Sequence, residues 1–500
     1  MLKMKMPKIG TGLAAALVLG TASLLTLGRA HAEQPVASPM PGTPLLAFGS
    51  YKMEDIGYSL KEFELAGTAR SFRLIGERRA DGRWQAERDG SAPYKTRIVV
   101  ARPRDSTRFN GTVIVEWLNV SGGLDVPVDW TTLHREMVRK GYAYVAVSAQ
   151  QVGIEGGPNL GRGSAAPVKK VDPVRYGGLS HPGDAFSFDI YSDVARLLRG
   201  RQKSIVLGGL MPRRLIAVGE SQSAFFLTSY VNAVDPLARV YDGYLIHSRS
   251  GVAASLDGSS MIGAGPDVMR AAVNLRPDLR VPTMQVHTET DVSGLIGSIG
   301  FHAARQPDSA HLRTWEIAGT AHADNYLFRV GGIDSGMVPV EQLAAAWEAM
   351  DNLQGLKLQT PMNNAPQHHY VTEAALDHLN AWIQGGKAPP SFAPLEIDTN
   401  EPPNFHTDPQ GLARGGVRSP WVDVPVSVLS GLGAPPMMPL VGSSRPFDQE
   451  TLAGLYPGGR NDYLAKFGAA LDRAIASGSI LAADREEILA VARLNYPGKD

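Results

Sequence analysis

The chain has 500 residues, 43% of them hydrophobic and 20% charged, and its 49 basic and 49 acidic side chains cancel to a formal net charge of zero. That balance excludes a nucleic-acid surface built on excess positive charge, and the apolar content excludes a disordered chain. Zero Cys excludes disulfides and thiolate metal sites, while 54 Gly and 35 Pro point to many tight turns rather than a helical bundle.

Residues 1–32 read as a secretory signal. Lys3, Lys5 and Lys8 precede an apolar run that ends at Ala30-His31-Ala32, a small-x-small cleavage pattern. A membrane anchor is the alternative, but Gly20 and Thr21 interrupt the run. Cutting after Ala32 removes four basic residues and no acid, leaving about −4 and a periplasmic or secreted bacterial protein as the expectation. No later segment is long and apolar enough to span a bilayer. Residues 33–50, rich in Pro and small side chains, read as a tether.

From 51 to about 110, "EFELAG", "SFRLIG" and "KTRIVVARP" are short β runs parted by turn residues, an antiparallel entry to a sheet. From Gly111 apolar strands alternate with helical stretches, which predicts a parallel sheet covered on both faces. The strands are "GTVIVEWLN", "GYAYVAVSA", "RRLIAVG", "YDGYLIHS", "VPTMQVHTE" and "LRTWEIAG", with "LHREMVRK" as a crossover helix. Residues 150–184 are too long and too rich in Gly and Pro for a plain connection and read as a lid or pocket wall. A helical insertion is expected at about 326–366, and the α/β domain ends near 395. Residues 396–500 form an extension, with helices near its end, that caps the pocket or packs against the sheet's edge.

The chemistry centres on "RLIAVGESQSAFF". A Gly-x-Ser-x-small pattern is weak alone, but here a strand runs into Ser221, small residues (Gly219, Ser223) flank it and a helix follows at once, which are the requirements of a nucleophile elbow. An acid and a histidine follow in the required order. Thr288-Glu289-Thr290-Asp291 ends one strand, and His322 sits in a Gly/Ala turn after the next. Asp291 is the favoured partner for the imidazole, with Glu289 as the alternative. Oxyanion donors are expected from the amide of Gln222 and from Asn119 or Val120 in "EWLNVSGG".

Together "TVIVEWLNVSGGLD", "AYVAVSAQQVG", "DPVRYGGLSHPGD", "AVGESQSA", "YDGYLIHSR", "VHTETDV" and "WEIAGTAHAD" resemble the α/β-hydrolase superfamily over roughly residues 50–390, and within it a group of exported bacterial α/β-hydrolase-domain proteins. The resemblance implies a three-layer fold and a serine esterase mechanism with Ser221 as nucleophile and His322 as base. Ser223 departs from the superfamily's usual glycine.

Trp117, Trp130, Gln150, Gln151, His247 and Arg249 lie at or just past strand ends, where α/β sheets bind ligands, and are candidate pocket residues. For Arg249 a structural ion pair is favoured over a substrate contact. Glu116, inside an apolar strand, reads as a hydrogen-bonded strut. His368-His369 reads as a loop, with Thr372 capping the helix behind it. The expectation is therefore an exported hydrolase acting on a small-molecule ester through an acyl-enzyme, needing no cofactor or metal. Acyltransferase, lactonase or amidase use of the same groups, or a non-catalytic binding protein on this scaffold, are the alternatives.

Overall fold

The computed structural model describes residues 34–161, 165–295, 297–353, 355–399, 403–433 and 440–498. The expected signal segment and its cut after Ala32 lie outside the described residues.

Nine strands form one sheet: β1 (Val36–Met40), β2 (Tyr58–Leu74), β3 (Ala86–Pro103), β4 (Thr112–Trp117), β5 (Ala143–Val147), β6 (Arg214–Glu220), β7 (Gly243–His247), β8 (Thr283–Thr288) and β9 (Leu312–Ile317). Their order across the sheet is β1-β2-β3-β5-β4-β6-β7-β8-β9. The first three pair antiparallel with their neighbours, β3 with β5 included, and β5, β4 and β6 to β9 run parallel. All six expected parallel strands are present. Two features differ from expectation. The tether contains β1, an edge strand on β2 from Val36↔Ala66 to Met40↔Glu62. The runs "EFELAG" and "SFRLIG" are one 17-residue strand, continuous but for an irregularity near Arg70.

Parallel strands covered on both sides read as nearly continuous apolar runs, and period-2 alternation divides their side chains between two cores. Ile114, Tyr144, Ile216, Val218 and Leu245 face the core shared with helices α1 (Val128–Lys140) and α5 (Gln367–Ile383). Val113, Val115, Val145, Ala217 and Ile246 face the core shared with α2 (Ser187–Arg199) and α3 (Gln222–Ser229). Helix α4 (Glu289–Ser293) follows β8 directly. Near the chain's end α6 (Gly459–Ser477) and α7 (Arg485–Leu494) join the α1/α5 core through Phe467, Leu471 and Ile488. Among the described residues no helix is long and apolar enough to cross a membrane.

Helix α5 begins at Gln367, so His368 and His369 lie in its first turn and not in a loop. The Thr372 hydroxyl donates back to the His368 carbonyl at 2.7 Å instead of capping the helix.

Candidate active site

Strand β6 ends at Glu220, and Ser221 then adopts φ 58° and ψ −120° before α3 starts at Gln222. A non-glycine residue with positive φ carries backbone strain and persists only where its surroundings hold it. Here the Ser221 amide donates to the His247 carbonyl at 3.0 Å, and its carbonyl accepts the Phe225 amide at 3.2 Å. The flanks must be small: a Cβ on Gly219 would stand 3.3 Å from the Cβ of Ser223.

Two turns at neighbouring strand ends bring the other groups in. After β9 the backbone turns at Gly319, φ 74°. The His322 amide then donates to Thr290 Oγ1 at 3.2 Å, which fixes the start of the ring. His322 Nε2 lies 2.8 Å from Ser221 Oγ, and Nδ1 lies 2.7 Å from Asp291 Oδ1. The other oxygen of Asp291 accepts the Thr288 amide at 2.7 Å and the Thr288 hydroxyl at 2.8 Å, closing a capping box on α4. Burial alone would raise the Asp291 carboxyl, but the imidazoles of His322 and His287 and the Thr288 amide outweigh it and hold it down to about 2. An imidazole so placed can take the hydroxyl proton while the carboxylate fixes its tautomer.

Glu289 is not the partner. Its side chain turns away from His322 to accept the amides of Gly319 at 2.5 Å and Gly431 at 2.8 Å, tying three loops together. Asn119 is also corrected as an oxyanion donor: its amide is spent on the Val126 carbonyl at 3.1 Å and its side chain on Glu220. The Val120 amide has no acceptor among the described residues. Gln222 opens α3, where first-turn amides have no intrahelical partner.

Ser221 and His322 border a cavity of about 680 Å³ walled by Phe225, Met261, Leu295, Leu327, Phe328 and Leu440, with Leu160 from the expected lid segment. Beside it lies a smaller, more polar pocket of about 110 Å³ bordered by Val120, Gln150, Gln151, Asp184 and Gln222. Gln150 thus sits at a pocket wall, where its side-chain Oε1 accepts a hydrogen bond from Gln222 Nε2 at 2.9 Å.

The remaining pocket candidates are structural. Trp117 is fully buried on the α2/α3 face and donates to Gln150 at 3.0 Å. Trp130, on the opposite core, donates to the Phe48 carbonyl at 3.1 Å. Arg249 is fully buried and makes no ion pair among the described residues; it donates to Gln285 and to the carbonyls of Ser250, Val252 and Val273 over the Phe301 ring. Burial without a counter-charge brings its guanidinium down to about 9. His247 points behind the serine, to Asp129 and His368. Glu116 is the expected strut, accepting the amides of Asp129 and Trp130 and the Tyr144 hydroxyl. Glu220 is a further member of the site that the sequence pattern does not single out: its carboxyl lies 3.3 Å from His322 Nε2. Its only signal is an ionisable residue at the last, buried position of an apolar strand. Among the described residues no cluster of His, Asp and Glu is arranged to hold a metal ion.

The profile of the family described as alpha/beta hydrolase domain matches residues 32–490. The chain belongs to this family. No curated protein matches this alpha/beta hydrolase chain. Among solved structures it is similar to a thermostable esterase from Pseudomonas putida (10% identity, TM-score 0.25, covering 49% of this chain and 68% of that one). It is also similar to a fungal esterase from Rhizomucor miehei (11%, 0.26, 64% and 85%). A third is an α/β serine hydrolase without lid from Xanthomonas campestris (12%, 0.23, 39% and 66%). These likenesses are too slight to add to the family assignment.

Proposed function

We propose that this chain is an exported serine hydrolase that cleaves a carboxylic ester through an acyl-enzyme. The observation that carries the reading is the unbroken line of contacts from Ser221 Oγ through both ring nitrogens of His322 to Asp291. His322 takes the Ser221 proton as Oγ attacks the ester carbonyl, and the amides of Gln222 and Val120 receive the oxyanion. The imidazolium passes that proton to the departing alkoxide. Water then enters, activated by the same imidazole, and releases the acid. The apolar walls around Ser221 favour an ester with a sizeable apolar half, and burial of that half supplies binding energy. Export rests on the basic, apolar and Ala-x-Ala order of residues 1–32; it predicts that mature protein recovered from the periplasm or medium begins at Glu33.

The test is hydrolysis of p-nitrophenyl esters of graded acyl length, together with fluorophosphonate labelling mapped by mass spectrometry. Ser221→Ala is expected to lower kcat/KM by at least about 10³-fold and to abolish labelling. Undiminished hydrolysis by that variant ends the proposal.

A further inference from the structure

Glu220 lies fully inside the site, at the last position of β6 and paired in register with His247 on β7. One carboxyl oxygen accepts Asn119 Nδ2 at 3.1 Å; the other stands 3.3 Å from His322 Nε2, the nitrogen that also meets Ser221. It therefore touches both the imidazole and the loop that carries the Val120 amide. Among the described residues it pairs with neither Lys nor Arg.

The groups around it are acidic or bear a shared proton. Asp291 stands across the His322 ring, and Glu116 on β4 accepts the amide of Asp129 at the start of α1. Beyond them runs a buried chain. Asp129 Oδ1 meets His247 Nδ1 at 2.8 Å, His247 Nε2 meets His368 Nε2 at 3.0 Å, and His368 Nδ1 meets Asp324 Oδ2 at 3.0 Å. Each of these three contacts needs a proton, and two neutral imidazoles supply only two. The chain must hold a third, so its two acids and two imidazoles carry one negative charge between them. Asp324 is fixed as an acceptor by the amides of Tyr326 and Leu327. Burial lowers the proton affinity of His247 and raises that of Asp129, which places the extra proton toward the Asp129 end. Burial first, and with it the negative charge of Asp291, push the Glu220 carboxyl well above the usual range.

We propose that Glu220 is a positioning residue that works as an uncharged acid, clamping the edge of His322 on one side and the Asn119 loop on the other. This rests on the serine hydrolase reading above. In the resting site the serine, at 2.8 Å, holds the imidazole lone pair against the more distant Glu220. Once the ring is protonated, the Glu220 oxygen accepts a bent hydrogen bond from Nε2–H and keeps that proton near the leaving oxygen. A full negative charge in the same place would trap the proton on the ring; a neutral acid orients it and lets it go. The proton of Glu220 itself stays on Glu220 throughout.

The experiment compares Glu220→Ala and Glu220→Gln in kcat, KM, the pH profile of kcat/KM and the rate of fluorophosphonate labelling. Alanine is expected to lower kcat about 30-fold or more, with KM within about threefold. Glutamine, a neutral group of the same shape, is expected to recover kcat to within about tenfold of wild type. Its acid limb should coincide with that of wild type. Wild-type kcat in the alanine variant overturns the clamp. A glutamine variant as slow as alanine, or one whose acid limb moves by about half a pH unit or more, overturns the uncharged role. If the alanine variant does not fold, the glutamine pH profile and labelling rate decide. The Ser221→Ala control keeps the two readings apart: an active Ser221→Ala ends the hydrolase reading, whereas an inactive one beside wild-type Glu220 variants ends only this inference.

Discussion

Asp291 and Glu289 stand two positions apart at the end of one strand, yet their carboxylates do different things. Asp291 reaches His322, while Glu289 reaches the amides of Gly319 and Gly431. Asp291→Asn is expected to cut kcat by about 10³- to 10⁴-fold, because an amide in place of the carboxylate favours the wrong tautomer. Glu289→Gln should keep kcat within about tenfold while lowering the melting temperature, since one of its two buried amide contacts is lost. Steady-state kinetics and thermal melts of both variants separate the roles. Asp291 also gives a dependence on pH. Its carboxyl is held at about 2 against an ordinary 3.8, so the ionised form stabilises the folded chain. That contribution, about 2 kcal/mol, is fully present above pH 3.8 and is lost as the pH falls through 2. The stability gap between wild type and Asp291→Asn should therefore narrow by about that amount over this range, as measured by denaturant unfolding.

Elements differ in how far the sequence exposes them. The six parallel strands were legible because a strand buried on both faces is apolar along most of its length, and the elbow because only small residues fit at 219 and 223. Strand β1 was not: Pro39 suggests a loop, yet an edge strand tolerates a missing donor. Nor was the surrounding carboxyl and imidazole chain, since Asp129, His247 and His368 come from elements more than 100 positions apart. The support of the Asn119–Val126 loop is equally non-local. Arg97 on β3 donates to Glu62 on β2 and to Asp125 in that loop, each at 2.9 Å, and to the Ser148 hydroxyl at 3.1 Å. All three charged side chains are almost wholly buried. Removing one member of a buried ionic set costs about 3–5 kcal/mol, because the partners stay buried without compensation. Arg97→Ala is expected to lose stability of that order and, in whatever fraction folds, to lower kcat by loosening the loop that carries Val120. Arg97→Lys should restore only part, because an ammonium cannot reproduce the guanidinium fork. Denaturant unfolding and kcat on the same preparations check both.

At the scale of the whole molecule, the question is whether residues 396–498 form a removable cap or a piece of the core. Leu440 borders the cavity, which alone suits a cap. The remainder is built into the fold. The Val417 amide donates to Glu316 at the end of β9, and the Gly431 amide holds Glu289. Helix α7 is tied to α1 by Arg135 to Glu487 at 2.9 Å, while Asp484 just before it receives Arg139 at 2.5 Å; the Tyr370 hydroxyl of α5 also reaches Glu487, at 2.9 Å. Tyr463, Phe467, Leu471, Ile488 and Ala492 belong to the same apolar core as Trp130, Met137 and Val371. Each large side chain buried there contributes roughly 1.5–3 kcal/mol, so four of them amount to about 10 kcal/mol, comparable to the net stability of a typical domain. A chain ended after Phe447 should therefore not behave as an uncapped enzyme. It is expected to be insoluble, or soluble with exposed apolar surface that binds a hydrophobic dye, and inactive on short and long esters alike. A soluble truncation with native circular dichroism and faster turnover of bulky esters would instead make these helices a cap. Placing two apolar-to-charged substitutions, Phe467→Asp and Leu471→Asp, in the full-length chain tests the same point without truncation: a core element loses its fold, whereas a cap would only lift from the pocket.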